Sequence, residues 1–100
     1  MIIVAGRIAI RSEMRAAAIA AAVKVTQATQ ADAGCLQYHF YWDLEDPDML
    51  HVFEEWESPE ALDAHLRLPH TTEFLADIGG MVSKAPVVKR YFVSESHSLL

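Results

Sequence analysis

Two β-prone runs flanking an acidic, proline-containing turn constrain this chain more than any other feature of its sequence. Cys35 to Trp42 crowds Leu, Tyr, Phe, Tyr and Trp together, Asp43 to Asp48 is acidic and holds Pro47, and Leu50 to Trp56 resumes the β-prone pattern. Aromatic and β-branched side chains suit a pleated surface, and the acidic turn interrupts it, so the segment predicts an antiparallel hairpin with a six-residue connection. Side chains alternate across a strand, which places Tyr38 and Phe40 on one face and Gln37, His39 and Tyr41 on the other.

The flanking sequence supplies the rest of a sheet and its helices. Ile2 to Ile10 predicts a first strand, with Ile8 and Ile10 bracketing Ala9 at a period of two. Ser12 is a good N-cap with Glu13 behind it, and Met14, Ala18, Ala21 and Val25 recur at helical spacing, so a first helix is expected to run to about Ala33, closed by Gly34. Ser58 and Pro59 mark a second helix start, because Ser caps free amides and Pro loses nothing at the first helical position. That helix is expected over Pro59 to Leu68, with Pro69 ending or kinking it and a continuation from Thr71 to Ile78 that stops at Gly79 and Gly80. Val87 to Val93 predicts the fourth strand, and Ser94 to Leu100 a loose tail or one that lies on a partner. The order strand, helix, strand, strand, helix, strand predicts an α+β fold of the ferredoxin-like, split βαβ kind over residues 1–100, with a four-stranded antiparallel sheet. Helices cover one sheet face, and a second copy of the sheet is the simplest cover for the other.

Composition excludes several classes of function. The net charge is −6 and the eight Lys and Arg residues are scattered, without the basic stripe that nucleic acid requires. Cys35 is the only cysteine, which rules out an internal disulfide and every multi-cysteine metal pattern and fits a reducing cytoplasm. Arg7 and Arg11 interrupt the first apolar run, so no signal peptide is expected. The Ala-rich stretch from Ala16 to Val25 contains Lys24 and falls short of the ~20 residues of a membrane span, so no membrane association is expected.

Several pieces of the sequence match a known family in order and spacing: Gly34-Cys35-Leu36-Gln37-Tyr38, Asp43-Leu44-Glu45-Asp46-Pro47, Glu54-Glu55-Trp56-Glu57-Ser58, Glu60-Ala61-Leu62-Asp63-Ala64-His65-Leu66 and Pro69-His70. On these the chain resembles the antibiotic biosynthesis monooxygenase family of dimeric α+β barrels, from Ile2 to about Val93. The resemblance implies a homodimer whose two sheets form a barrel, with a ligand pocket in each subunit between sheet and helices. It further implies oxidation of polycyclic anthrones or quinols by molecular oxygen without metal, flavin or haem, with pocket polar residues matching Trp56 and His65. The family is also similar to haem-degrading enzymes, to isomerases of small sugar-derived signals and to many small proteins without assigned activity. Haem-degrading relatives carry an Asn near the middle of the first strand, whereas the position that matches here is Gly6, followed by Arg7.

Oxygenation without a cofactor needs an electron-rich substrate, a base to make its anion, and an apolar hollow that excludes water. His65 is the candidate base, since imidazole titrates near neutrality and Leu62 and Leu66 set it on the helix side that faces the sheet; a structural His on an apolar face is the alternative. Trp56 could stack on a planar substrate or simply fill the core. Glu54, two residues earlier on the same face, could orient His65 or accept a proton, or else pair with Arg7 or Arg90. Tyr38, Phe40, Phe53, His70, Phe74, Met81 and Tyr91 are candidate substrate-binding residues, with Tyr41 adding aromatic surface; most would appear in any core. No two of the five histidines sit at ligand spacing on one helix, and His65 and His70 are five residues apart with Pro69 between them, which points away from a metal site. Cys35 reads as a small buried residue. The functional readings are therefore a cofactor-independent monooxygenase acting on an aromatic quinol, phenol or anthrone, an isomerase moving protons without oxygen, and a non-catalytic small-molecule-binding dimer.

Overall fold

The computed structural model describes residues 1–100. Its elements are β1 (Ile2–Ala9), a 3₁₀ turn (Ser12–Met14), α1 (Arg15–Thr29), β2 (Cys35–Trp42), β3 (Met49–Trp56), α2 (Pro59–Leu66), α3 (Pro69–Gly79) and β4 (Val87–Phe92). The strands form one antiparallel sheet in the order β2-β3-β1-β4, the ferredoxin-like arrangement that the element order predicts.

Period-two alternation decides which side chains face the helices. Along β3, Leu50, Val52, Glu54 and Trp56 are buried while the residues between them are half-buried, and on β1 Ile2, Val4 and Ile8 share the buried face. The register sets Ile2 opposite Trp56 and Val4 opposite Glu54, while Tyr38 of β2 pairs with Glu54 from the other side. Against this face α1 lays the stripe Ala18, Ala22, Val25 and Thr29, α2 lays Leu62 and His65, and α3 lays Thr71, Phe74 and Ile78. The small alanines of α1 let that helix approach closely, and each large apolar side chain buried here contributes roughly 1.5–3 kcal/mol.

The first helix is shorter at both ends than its sequence suggests. Ser12 does not cap it: the hydroxyl donates to Asp48 Oδ2 at 2.7 Å, tying the chain to the hairpin turn, and the α-helix begins at Arg15 after a 3₁₀ turn. It ends at Thr29 rather than near Ala33, and the turn that follows carries Asp32 toward α2 before Gly34 enters β2 at φ +80°. Only glycine suits Gly34, because a Cβ there would lie 2.5 Å from the Cβ of Ala61. In α2 the Ser58 hydroxyl does accept from the Ala61 amide at 3.1 Å, with Pro59 in the first turn. Pro69 opens α3 instead of ending a helix, so the continuation starts two residues before Thr71.

All six residues of β4 are exposed, and the sheet face away from the helices is uncovered. Ser94 to Leu100 forms neither helix nor strand. No helix is long and apolar enough to cross a membrane.

Candidate functional site

Between the sheet and the α2–α3 pair lies a hollow of about 270 Å³. Its walls are apolar: Val4 and Ile8 from β1, Phe40 from β2, Leu62 from α2 and Phe74 from α3. Tyr38, Glu54, His65, Thr71, Lys89 and Arg90 add the polar groups. A few polar groups in an otherwise apolar cavity is the usual make-up of a small-molecule site.

His65 is the best-oriented of them. Its side chain is 2% exposed and its Nδ1 lies 2.7 Å from Oδ2 of Asp32, a carboxylate that is itself largely buried. A carboxylate can only accept, so Nδ1 carries the proton and Nε2 keeps its lone pair. The Trp56 indole lies over the imidazole with ring centroids 4.5 Å apart and a tilt of 35°, and Tyr38 meets its edge at 5.5 Å. Burial lowers the His65 pKa, Asp32 offsets part of that and His70 adds to it, so the ring is neutral at neutral pH. A neutral imidazole with one nitrogen held by a carboxylate and the other unprotonated, with only a long 3.4 Å contact to the Thr71 hydroxyl, is a competent general base.

Glu54 is the second titratable group. It is 7% exposed, accepts a 2.8 Å hydrogen bond from Trp56 Nε1, and has its pKa pushed up to about 7 because burial outweighs that hydrogen bond. Burial raises Tyr38 as well, so its phenol stays protonated through the ordinary pH range. Cys35 is likewise raised by burial, which makes its thiol a poor nucleophile.

Of the residues singled out in the sequence, His65, Glu54, Tyr38, Phe40 and Phe74 line this hollow. Trp56 is fully buried behind His65 and packs on it without lining the hollow itself. Two expected lining residues are on the other side of the sheet. Phe53 falls between the inward-facing Val52 and Glu54, and Tyr91 pairs with Ile3, so both line a wider cleft of about 440 Å³ on the uncovered face. Met81 packs against the core beyond the end of α3, outside the hollow. Glu54 meets neither Arg7 nor Arg90, and the latter pairs with Asp63 at 3.1 Å.

Asp32 and Thr71 are the residues of this cluster that sequence reasoning misses. Asp32 Oδ2 takes both His65 Nδ1 at 2.7 Å and His70 Nε2 at 2.9 Å, and Thr71 Oγ1 lies 3.4 Å from His65 Nε2. The two histidines that their spacing kept apart are thus joined by a third residue, and the ligand atoms of Asp32, His65 and His70 all lie within 4.8 Å of one another. The one available signal for Asp32 was a lone charge between Ala31 and Ala33 just ahead of Gly34.

Gly6 is fixed by the sheet. A Cβ at this position would lie 2.2 Å from the Val87 carbonyl oxygen of β4, so the Asn of haem-degrading relatives has no room here.

Comparison with known proteins agrees with this architecture. The family model described as antibiotic biosynthesis monooxygenase matches residues 1–77. The chain belongs to the antibiotic biosynthesis monooxygenase family. Among solved structures, a Deinococcus radiodurans protein assigned to these monooxygenases superposes with a TM-score of 0.93 at 26% identity, covering 100% of this chain and 99% of that one. Rv0793 from Mycobacterium tuberculosis gives a TM-score of 0.89 at 27% identity over 97% of this chain and 98% of that one. A conserved protein from Methanosarcina mazei Go1 gives 0.87 at 26% identity over 90% and 89%. No curated protein matches significantly. Membership of the family supports a monooxygenase or small-molecule-binding role.

Proposed function

We propose that this family member is a cofactor-independent monooxygenase acting on a planar aromatic quinol, phenol or anthrone. The observation that carries the reading is the buried His65–Asp32 couple beside an apolar hollow, with its tautomer fixed so that Nε2 is the unprotonated nitrogen. In this scheme Nε2 takes a phenolic or benzylic proton, and Asp32 holds the imidazolium that results. The substrate anion gives one electron to O₂, the resulting radical pair combines at carbon, and the peroxide so formed takes a proton from Glu54. Loss of water then leaves a new carbonyl: one oxygen atom stays in the product, the other departs as water, and O₂ is the oxidant. At about 270 Å³ the hollow suits a compact two- or three-ring molecule, slightly below the usual ~300–1,000 Å³ range of drug-sized sites. The apolar walls supply the dry surroundings that favour the anion's reaction over its reprotonation by water.

The test is oxygen uptake with an anthrone or quinol. Wild-type protein is expected to consume O₂ with undiminished rate after exhaustive chelation, and His65→Ala to lose at least ~100-fold, the usual contribution of a general base. Uptake that survives His65→Ala would sink the assignment of the base. A second reading rests on Glu54 and His65 flanking one hollow, the acid raised and the imidazole lowered. Such a pair can pass protons in both directions, as an isomerase requires. Turnover of a substrate under strict anaerobiosis would select it.

The proposed active unit is a homodimer. The uncovered sheet face presents Phe53, Val87 and Tyr91 around its cleft, and a second sheet laid on it would complete a barrel.

A further inference from the structure

We infer that Asp32, His65 and His70 form a site for a divalent transition-metal ion of the zinc class, occupied in competition with the use of His65 as a base. The site itself rests on side-chain placement alone, and its competition with His65 rests on the oxygenase reading.

The three residues come from separate elements and converge on one point. Asp32 lies in the turn after α1, His65 in the last turn of α2 and His70 in the first turn of α3. Nδ1 of His65 and Nε2 of His70 address the same carboxylate oxygen, at 2.7 and 2.9 Å. Two imidazoles and a carboxylate form a donor set that suits zinc and its first-row neighbours. Tetrahedral coordination with bonds of ~2.0–2.1 Å sets donor atoms about 3.3 Å apart, so the two oxygen–nitrogen separations, now 2.7 and 2.9 Å, must open by about half an ångström. His70 can give this much, because its side chain is 25% exposed whereas those of Asp32 and His65 are 8% and 2% exposed. The same exposure provides the entry path and room for water at the remaining coordination position.

Proton accounting closes without an added acid or base. A metal on His65 Nδ1 needs that nitrogen's lone pair, so the ring's single proton moves to Nε2, where the Thr71 hydroxyl at 3.4 Å can accept it. Ligating imidazoles commonly donate their other N–H to such a partner, and Thr71 is already in place. His70 likewise shifts its proton, from Nε2, which now donates to Asp32, to Nδ1. The cation thus occupies the point now held by two hydrogen-bonded protons, and His65 Nε2, having become a donor, can no longer take a proton from a substrate.

The experiment uses the whole chain, freed of metal by chelation and then titrated with Zn²⁺ by calorimetry and with Co²⁺ by visible absorption. One ion per chain is expected, with a dissociation constant of roughly 10 μM or tighter and the d–d bands of a low-coordinate N/O cobalt site. His70→Gln, which is part-exposed and spares the core, is expected to weaken binding at least ~10-fold, as is Asp32→Asn, while His97→Ala in the exposed tail leaves it unchanged. Absence of stoichiometric binding, or full binding by both cluster variants, overturns the site. Zinc is also expected to suppress oxygen uptake in proportion to occupancy. Stoichiometric binding with undiminished uptake would keep the site and overturn its competition with His65, and with that the role of His65 as base. No binding together with normal uptake would overturn the site alone.

Discussion

Asp32 holds the position on which the chemistry of His65 depends, although it need not touch a substrate. Its carboxylate fixes the His65 tautomer, and in the proposed mechanism it stabilises the imidazolium formed after proton transfer. Asp32→Asn keeps the shape but can present an N–H to the ring, which reverses the tautomer. Oxygen uptake is expected to fall by ~10²–10⁴, the range over which base catalysis and its orienting carboxylate operate, with the KM nearly unchanged. A loss appearing in KM alone would make Asp32 a packing residue. Glu54 makes a different prediction, in stability. Its folded-state pKa is raised from the ordinary 4.5 to about 7, so the native state holds the proton more tightly than the unfolded chain does. The contribution is fully present below pH 4.5, declines as pH rises toward 7 and is absent above it; it amounts to roughly 3 kcal/mol at ~1.4 kcal/mol per pKa unit. Glu54→Gln keeps an acceptor for Trp56 Nε1 and removes the titration. Urea unfolding at pH 5 and pH 8 is expected to show the variant gaining on the wild type by most of that amount at the higher pH. Parallel pH profiles for the two proteins would mean that Glu54 is charged at neutral pH.

At the scale of elements, the caps show where a local pattern is sufficient and where tertiary contacts take over. Ser58 meets free amides with nothing else competing for its oxygen, so the cap forms as its sequence context implies. Ser58→Ala is expected to cost about 1 kcal/mol in chemical denaturation, and a change below ~0.3 kcal/mol would show that Pro59 alone sets the start of α2. Ser12 has an equally good cap pattern, yet its hydroxyl binds Asp48, which is distant in sequence. The strands were legible because alternation is a local property: Tyr38, Phe40, Glu54 and Trp56 fall on the helix-facing side that period two assigns them. The same rule, applied to Phe53, would have put it on the opposite face; counting aromatic residues as pocket lining without regard to their parity is what misplaced it. Tyr91 needed the β1–β4 register, which no spacing within β4 supplies. Asp32 was illegible for a similar reason. Its partners are 33 and 38 residues away, and only the early end of α1 at Thr29 brings it to them.

At the scale of the whole molecule, the sheet has one face under three helices and one face open to solvent. The open face carries a cleft of about 440 Å³ whose lining mixes Phe53, Val87 and Tyr91 with Arg7, His51 and Lys89. It is larger than the hollow beneath the helices, but it lacks a buried base and it widens toward solvent, which fits a surface awaiting cover better than a reaction chamber. Covering it with a second sheet would bury apolar area at about 25 cal/mol per Å², and a standard protein interface removes ~1,600 Å² in total. A charge placed at Phe53 would be forced into that interface without a partner. Phe53→Glu is therefore expected to shift the protein from dimer to monomer in analytical ultracentrifugation at micromolar concentration. Far-ultraviolet circular dichroism should stay unchanged, because Phe53 is only half-buried within the single chain. The proposed active-site hollow lies on the far side of the sheet, so any loss of oxygen uptake in this variant should track the monomer fraction and recover at high protein concentration. Sedimentation of both proteins as monomers would show that the open face does not pair with its own copy.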